Sequence, residues 1–513
     1  MIATATNFFP EDAANSAGTS AKTLENVLVA TEQPPSIAIL GIPFDNITTA
    51  QTVQAIEEMV ASREPHYLAT ANVDFLVQAR QDVELRRILL HANLVLCDGT
   101  PLVWASRLLG NPLPERVAGS DLVPLLIQIA AQKNYRVFFL GASNEAAAAA
   151  VANLQKKYPR LTVAGRYSPP FAPLHEMDHD EIKQQIQSAK PDLLFVSFGC
   201  PKQEKWISMH YRSLGVPVCV GVGATIDFLA GRIKRAPKLM QKTGTEWIFR
   251  LAQEPRRLLR RYMSGLWWFS REIAQQWWRM QSVEGKKDVA QRASAAPNRK
   301  QPWKTIRLTN RLDLEAVRRD SLACEQALAT HRHCILDLSA VNFVDSTGIG
   351  LLIRLQKKAR IAGRQLILLS PSKEMHSALR LMRLHDFFVI AADISEARRI
   401  FESTDSTTPV LIQNSYFPSK PSLFWRGEIT SANAEQVWQL TQSHIAARAL
   451  VKKPVQIDLS SLQFIDSAGA NLMLRVKREA ATQGTKLFFV GTQSNVQNVL
   501  RLSNLDTAVL GVG

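Results

Sequence analysis

The sequence predicts an α/β protein built from three folded units, of which the last two repeat one another. Short β-rich runs alternate with helical patterns from residue 36 to 245, which is typical of a mostly parallel sheet covered by helices. The rest of the sequence carries one motif twice, with Asp345 and Asp466 at matching positions, which indicates duplication of a small domain. A chain of 513 residues is also too long for one hydrophobic core.

The composition is that of a globular protein and excludes several other classes. Hydrophobic residues make up 46% of the chain and charged residues 21%, which argues against a disordered or fibrous protein. No apolar run reaches the length of about 20 residues that a spanning helix needs, and the first residues lack the pattern of a secretory signal. The sequence therefore predicts a cytoplasmic protein.

The five cysteines show neither CxxC nor metal-ligand spacing, so we expect reduced, mostly buried thiols without a disulfide or a metal. They are Cys97, Cys200, Cys219, Cys324 and Cys334.

The first unit is predicted at 36–280, after a mobile lead-in at 1–35. Parallel sheets bind ligands where loops leave the carboxyl ends of their strands. Polar clusters occur at five such predicted ends, namely at residues 70–74, 97–100, 141–144, 199–204 and 221–227. We therefore expect the functional site at this edge of the sheet.

Two of these clusters carry acidic or amide chemistry. Asp98 follows an apolar strand, where a carboxylate can accept the proton of a substrate hydroxyl; the alternative is that it caps the next helix. The motif GCPKQEKW places Lys202, Gln203 and Glu204 directly after a strand, which a salt-bridged helix start would also explain. The segment GVGATIDFLAG lacks the GxGxxG fingerprint of a dinucleotide site, so a nicotinamide enzyme is disfavoured.

The segment 245–280 forms a basic, aromatic appendage at the end of the first unit. Residues 231–280 hold twelve Lys or Arg against three Glu, so nine of the sixteen net positive charges lie there. The appendage also contains five of the ten tryptophans. Arginine suits phosphate oxygens and tryptophan prefers the headgroup layer, so this pattern favours a membrane surface over nucleic acid. A solvated basic helix is the alternative.

The two repeated units are predicted at 302–402 and 409–513, with polar linkers at 281–301 and 403–408. LDLSAVNFVDSTGIG and IDLSSLQFIDSAGAN align without a gap and share seven of fifteen residues. In each copy an apolar strand leads into Asp-Ser-x-Gly and then into an amphipathic helix. The serine is therefore expected at a helix start.

Six motifs follow one another in the first unit: TANVDFL, LCDGTPLVWASRLLG, PERVAGSDL, GCPKQEKW, GVGATIDFLAGRIKRAP and EWIFRLAQEPRRLLRRY. In this order and spacing they resemble the WecG/TagA/CpsF family of bacterial glycosyltransferases over residues 36–262. The resemblance implies a Rossmann-like domain that transfers a sugar, typically N-acetylmannosamine or its acid form, with inversion. The implied donor is a UDP-sugar, and the implied acceptor is a sugar linked to polyprenyl diphosphate at the inner membrane face.

The resemblance also implies roles for individual residues. By position, Asp98 is the expected catalytic base, and the expected substrate contacts are Thr70, Asn72, Arg116, Gln203, Arg250, Arg257 and Arg260. The three last arginines belong to the appendage, which in this family closes over the site and meets the membrane. No metal or cofactor is expected, because no acidic or histidine cluster has ligand spacing and arginines can neutralise a diphosphate.

The Asp-Ser turns resemble those of the STAS domain, the fold of anti-sigma-factor antagonists. The resemblance implies that a partner kinase phosphorylates Ser346, with Ser467 as its counterpart in the second copy. The alternative is that each serine only caps its helix.

Together these features predict a peripheral membrane glycosyltransferase regulated or docked through two STAS modules, with a possible homo-oligomeric state. The alternative is an inactive signalling scaffold that binds a nucleotide sugar or lipid through its first half.

Overall fold

The computed structural model describes residues 35–233, 236–237, 240, 246–253, 255–284, 303–331, 333–404, 410–412 and 423–510. The predicted lead-in up to residue 34 and most of the two predicted linkers lie outside these ranges.

The N-terminal unit is a parallel sheet with a small hairpin in front of it. Its strands are β1 (Ile37–Ile39), β2 (Ile42–Phe44), β3 (His66–Ala71), β4 (Leu94–Cys97), β5 (Arg136–Gly141), β6 (Thr162–Tyr167), β7 (Leu193–Ser197) and β8 (Val218–Gly221). β1 and β2 pair antiparallel. The other six strands form one parallel sheet in the order β4-β3-β8-β7-β5-β6. The prediction of a mostly parallel α/β unit is confirmed.

Helices cover both faces of this sheet. They are α1 (Thr49–Ser62), α2 (Val73–Ala79), α3 (Val83–His91), α4 (Thr100–Leu108), α5 (Gly119–Lys133), α6 (Asn144–Lys157), α7 (His179–Ala189), α8 (Lys202–His210) and α9 (Thr225–Leu229). Successive residues of a strand enter different apolar clusters, as Phe138 and Phe139 of β5 do. This alternation is what a sheet buried on both faces requires.

The appendage consists of two helices, α10 (Glu246–Gln253) and α11 (Pro255–Glu284). Phe269, Ile273 and Gln276 form the buried face of α11, at intervals of three or four residues. Tryptophans Trp267 and Trp278 are exposed on another face. Among the helices in the described ranges, none combines the length and the apolar content needed to cross a bilayer.

The first repeat is a four-stranded parallel sheet with helices. Its strands are β9 (Trp303–Leu312), β10 (His333–Val344), β11 (Gln365–Leu369) and β12 (Val389–Ala391), in the order β12-β11-β10-β9. Its helices are α12 (Leu314–Thr330), α13 (Ser346–Ile361), α14 (Lys373–Leu381) and α15 (Ile394–Thr404).

The second repeat shares a central run of three strands alternating with three helices with the first repeat, around an apolar core of its own. Its strands are β13 (Val410–Ile412), β14 (Leu423–Ile429), β15 (Val455–Ile465) and β16 (Leu487–Val490), of which only β13 runs antiparallel to its neighbour. Its helices are α16 (Ala434–Leu450), α17 (Ser467–Thr482), α18 (Ser494–Leu502) and α19 (Asp506–Leu510).

The first repeat packs directly on the N-terminal unit. Ala38 of β1 and Leu90 of α3 belong to the same buried apolar cluster as the core of the first repeat. Helix α13 crosses β1 at Gly350, where an added Cβ would overlap the backbone carbonyl oxygen of Ser36. The close contact therefore depends on a residue without a side chain at this helical position.

We expect Gly350→Ala to lower the free energy of unfolding by about 1–3 kcal/mol, because the methyl group cannot fit against β1. Gly265→Ala in α11 is the matched control, since its Cβ would meet Val77 only at 3.6 Å. Alanine in place of a helical glycine then gives its usual gain of about 0.5–1 kcal/mol. Chemical denaturation of both full-length variants measures the two signs, and a stabilised Gly350→Ala variant would contradict the close packing.

Candidate active site

Four adjacent strands of the parallel sheet bring four of the eight predicted site residues to one edge. The strands β4, β3, β8 and β7 are neighbours in that order. Thr70 and Asn72 lie at the end of β3, Asp98 follows β4, and Gln203 begins α8 just beyond β7. The expected convergence of these loops at the carboxyl edge is therefore found.

Asp98 lies partly exposed in the loop between β4 and α4. Its backbone N–H donates to the carbonyl of Ala71 at 2.9 Å, which fixes the loop against the end of β3. Its carboxylate accepts a hydrogen bond of 3.4 Å from the N–H of Gly119, at the start of α5. The cap position of α4 is occupied by Gly99, which has no side chain. The carboxylate of Asp98 is thus directed to α5, and capping of α4 does not account for it.

Arg116 is the cation beside this carboxylate. Its guanidinium pairs with Asp121 at 2.9 Å and with Glu246 at 3.2 Å. Burial alone would lower the pKa of Arg116, but the charges of Asp98, Asp121 and Glu246 together raise it. Glu246 is the first residue of α10, so this ion pair joins the appendage to the site.

Thr70 and Asn72 support the loop geometry around Asp98. The hydroxyl of Thr70 is buried 3.5 Å from the carbonyl oxygen of Gly221, at the end of β8. The side-chain oxygen of Asn72 accepts from the N–H groups of Asp74 at 3.0 Å and Phe75 at 3.3 Å, and so caps α2. Both residues lie beside the Asp98 loop, as the sequence predicted.

Gln203 holds two active-site loops together. Its side-chain oxygen accepts from the backbone N–H of Gly199, after β7, and of Gly223, after β8, both at 3.1 Å. Its amide group donates to Glu204 at 2.7 Å. Gln203 is buried, so these bonds fix the relative position of the two loops. No pattern in the sequence indicates this clamp, because its partners lie 4 and 20 residues away.

Glu204 is a buried acid next to this clamp. Burial raises its pKa to about 7. The hydrogen bonds from Gln203, its own backbone and Cys200 act in the opposite direction and are outweighed. The neighbouring Lys205 instead pairs with Asp82 at 2.7 Å and Glu84 at 3.0 Å on α3. Of the polar residues after β7, Gln203 therefore holds two loops together and Lys205 forms a buried ion pair.

The appendage arginines Arg250, Arg257 and Arg260 belong to α10 and α11, but their side chains lie outside the described residues. One face of α11 is described further along. It carries Met263, Trp267, Arg271, Ala274 and Trp278 at intervals of three or four residues, all exposed. We call this face the exposed stripe. Trp267 is 75% exposed and Trp278 is 68% exposed.

The two Asp-Ser turns begin helices α13 and α17, as predicted, but the caps are the aspartates. Asp345 accepts from the N–H groups of Thr347 and Gly348, both at 2.8 Å. Asp466 accepts from the N–H of Gly469 at 2.9 Å. The alternative of serine caps is therefore wrong, because the preceding carboxylate already fills that role.

Both serines contact the N-terminal unit. Ser346, fully buried, accepts a hydrogen bond of 2.8 Å from Gln276 of α11. Ser467 is only 8% exposed and donates its hydroxyl hydrogen to Glu84 of α3 at 2.7 Å. Neither partner could be inferred from sequence, because the contacts span 70 and 383 residues.

Within the described ranges, His, Cys, Asp and Glu side chains form no group of three that could hold a metal ion. The five cysteines are free thiols, four of them buried, in agreement with the sequence.

Comparison with known proteins identifies all three units. Residues 37–283 match the glycosyl transferase WecG/TagA/CpsF family. Residues 295–397 match the STAS domain, and residues 418–511 match the model described as Mlab, STAS domain.

Similar proteins include two from Staphylococcus aureus that are named N-acetylglucosaminyldiphosphoundecaprenol N-acetyl-beta-D-mannosaminyltransferase. The protein of strain MW2 is 33% identical over 43% of this chain and 86% of its own length. That of strain MRSA252 is 34% identical over 42% of this chain and 83% of its own length.

A solved structure of the anti-sigma factor antagonist SpoIIAA in its unphosphorylated form is 19% identical. The match covers 21% of this chain and 96% of the SpoIIAA chain. Its TM-score is 0.18, which is too low to support a conclusion. The family match and the coverage of the Staphylococcus relatives are sufficient: the chain belongs to the WecG/TagA/CpsF family of glycosyltransferases and continues into two STAS domains.

Proposed function

We propose that this protein transfers an N-acetylmannosamine-like sugar from a UDP donor to a sugar linked to polyprenyl diphosphate, with inversion. The acceptor hydroxyl loses its proton to the carboxylate of Asp98 as its oxygen attacks the anomeric carbon. The bond from that carbon to the diphosphate of the donor breaks, and UDP leaves. The names of the Staphylococcus relatives support this choice of acceptor and sugar.

The position of Asp98 is the observation that carries the proposal. Its carboxylate is partly exposed at the carboxyl edge of the sheet, which is where substrates reach parallel α/β enzymes. The N–H of Gly119 donates to this carboxylate, and Arg116 is the nearby cation. The role follows from this geometry together with family membership.

Arg116 is suited to a phosphate group of either substrate. Its guanidinium now binds the carboxylates of Asp121 and Glu246, and a diphosphate offers oxygens of the same geometry and greater charge. Exchange of Glu246 for phosphate at Arg116 would couple substrate binding to the start of the appendage. Arg250 follows Glu246 by one helical turn, and Arg257 and Arg260 follow in α11, so we assign further phosphate contacts to them.

The appendage is proposed to bind the inner face of the cell membrane through the exposed stripe of α11. Large exposed apolar side chains arranged along one helix face are unusual on a soluble surface. Tryptophan and arginine together suit the headgroup layer of anionic lipid. An acceptor that is itself a membrane lipid would then meet Asp98 from this side.

The STAS domains are proposed to regulate or dock the transferase, with a protein such as an anti-sigma-factor-like kinase as the partner. Ser346 and Ser467 are the candidate phosphorylation sites. Both are buried against the transferase domain, so a kinase could reach either serine only after its STAS domain has moved.

We expect Asp98→Asn to reduce sugar transfer by about 10²–10⁴-fold, the usual contribution of a general base. The assay offers the full-length protein a panel of UDP-sugars with a polyprenyl-diphosphate-linked acceptor and measures the release of UDP. Donor binding and the unfolding midpoint are expected to stay unchanged, because asparagine keeps the shape of the side chain.

Asp180→Asn is the matched control, because this carboxylate is 92% exposed and lies on α7. Wild-type turnover in Asp98→Asn would refute the assignment of the base. Absence of UDP release from every donor with the wild-type protein would instead favour the binding scaffold.

We expect the double variant Trp267→Ser, Trp278→Ser to bind vesicles containing phosphatidylglycerol at least about tenfold more weakly, because two large apolar side chains no longer enter the interface. Flotation or tryptophan-quenching assays at several salt concentrations measure the binding, which is also expected to weaken as salt rises. Phe171→Ser is the control, since Phe171 is 99% exposed but lies outside the appendage. Equal losses in both variants would exclude the exposed stripe as the membrane contact.

A further inference from the structure

The Asp-Ser turn of the second STAS domain holds a carboxylate of the transferase domain. The backbone N–H of Ser467 donates to one oxygen of Glu84 at 2.5 Å, and its hydroxyl donates to the other at 2.7 Å. Glu84 is 2% exposed. The carboxylate thus lies at the N-terminus of the 16-residue helix α17, where a negative charge is favoured.

Glu84 is also part of a buried ionic network within the transferase domain. Lys205 of α8 pairs with Glu84 at 3.0 Å and with Asp82 at 2.7 Å. Burial would lower the pKa of Lys205, but the two carboxylates raise it. Asp466, the cap of α17, is buried beside Glu84. Burial and then the charge of Glu84 raise its pKa to about 7.

Asp82 and Glu84 therefore share one ammonium group, and Asp466 lies beside Glu84. A further negative charge at residue 467 would face the buried carboxylate of Glu84, and repulsion between buried like charges strongly disfavours a contact. The contact is consequently sensitive to charge at residue 467.

Other contacts place the second STAS domain on the same two transferase helices. The hydroxyl of Ser431 donates to the carbonyl of Ser208 in α8 at 3.0 Å. Arg87 of α3 pairs with Glu428 at 2.7 Å, and its guanidinium lies 3.8 Å from the ring centre of Phe464. The domain therefore covers both α3 and α8.

We propose that the second STAS domain is an intramolecular ligand of the transferase, docked through Glu84 in its Asp-Ser turn, and that docking braces the active-site loops through α8. The structural path is short. Lys205 and Gln203 lie two residues apart on α8, and Gln203 holds the loops of Gly199 and Gly223 together. Release of the domain removes the hydrogen bond from Ser431 to α8. It also removes the hydrogen bonds from Ser467 to Glu84, the partner of Lys205. The inference concerns docking and does not depend on which sugar is transferred.

The first STAS domain provides an internal comparison. Its serine, Ser346, binds the neutral side chain of Gln276, where Ser467 binds the carboxylate of Glu84. Burial raises the pKa of its cap, Asp345, to about 6. The hydroxyl of Ser467 thus faces a carboxylate and that of Ser346 faces an amide, so we expect an added negative charge to be less favourable at residue 467.

Hydrogen–deuterium exchange of the full-length chain tests the proposal without an activity assay. We expect Ser467→Asp to raise exchange by about tenfold or more in peptides covering residues 82–91 and 465–472, because hydrogen bonds to a charged group are lost. Exchange is also expected to rise at residues 199–210, which report the loop after β7 and α8. Strand β15 should stay protected, which shows that the domain remains folded.

A second substitution identifies the contact. Adding Glu84→Gln to Ser467→Asp removes the repulsion and supplies an amide donor, so protection is expected to return in part in all three peptides. Ser443→Asp is the charge control, because Ser443 is exposed on α16, and it should leave exchange unchanged.

Three results would overturn the proposal: unchanged exchange at residues 82–91 in Ser467→Asp, an additive effect of the two substitutions, or an equal effect of Ser443→Asp. If residues 199–210 alone stay protected, docking through Glu84 stands and bracing of the loops is refuted.

Discussion

The site depends on the insertion of β8 between β3 and β7 in the parallel sheet. This pairing aligns the carboxyl ends of strands that are more than a hundred residues apart in sequence, so their loops must meet. The contact of Thr70 with Gly221 and the clamp of Gln203 between the loops after β7 and β8 both follow from it. Polar groups at this edge are partly buried, so each needs a fixed partner, and the loops supply them to one another.

Local features of this fold were predictable, whereas the partners across the chain were not. Alternating patterns identified the parallel sheet, and the repeated motif identified two small domains with helices starting at their serines. Position alone left Asp98 between a helix cap and a catalytic base. Its contact with the N–H of Gly119, 21 residues away, could not be predicted, because nearly every residue carries such a group. The clamp formed by Gln203 and the ion pair of Glu246 with Arg116 could not be predicted for the same reason. Their partners come close only in the folded sheet and appendage.

The repeated turn illustrates how one local solution serves two long-range purposes. In both copies the aspartate satisfies the first N–H groups of the helix, so the serine is not required for helix initiation. The serine hydroxyl, at the first helical residue, is then free to bond outside its own domain. The first copy uses it on Gln276, which also bonds Ala38 and Leu40 and so joins α11 to β1. The second uses it on Glu84. Duplication thus kept the turn and diversified its partner.

Burial of both serines makes docking and modification compete. A phosphate on Ser467 would add nearly two negative charges beside Glu84 and Asp466, so the modified domain could not return to the same position. A kinase could act only on molecules in which the second STAS domain is released, so the rate of modification would depend on the population of that state. The strength of the Glu84 contact would therefore set the fraction of molecules in which Ser467 is accessible to a kinase. It also sets the fraction in which α8 is braced, so one interaction links the state of the STAS domain to the edge of the sheet where Asp98 lies.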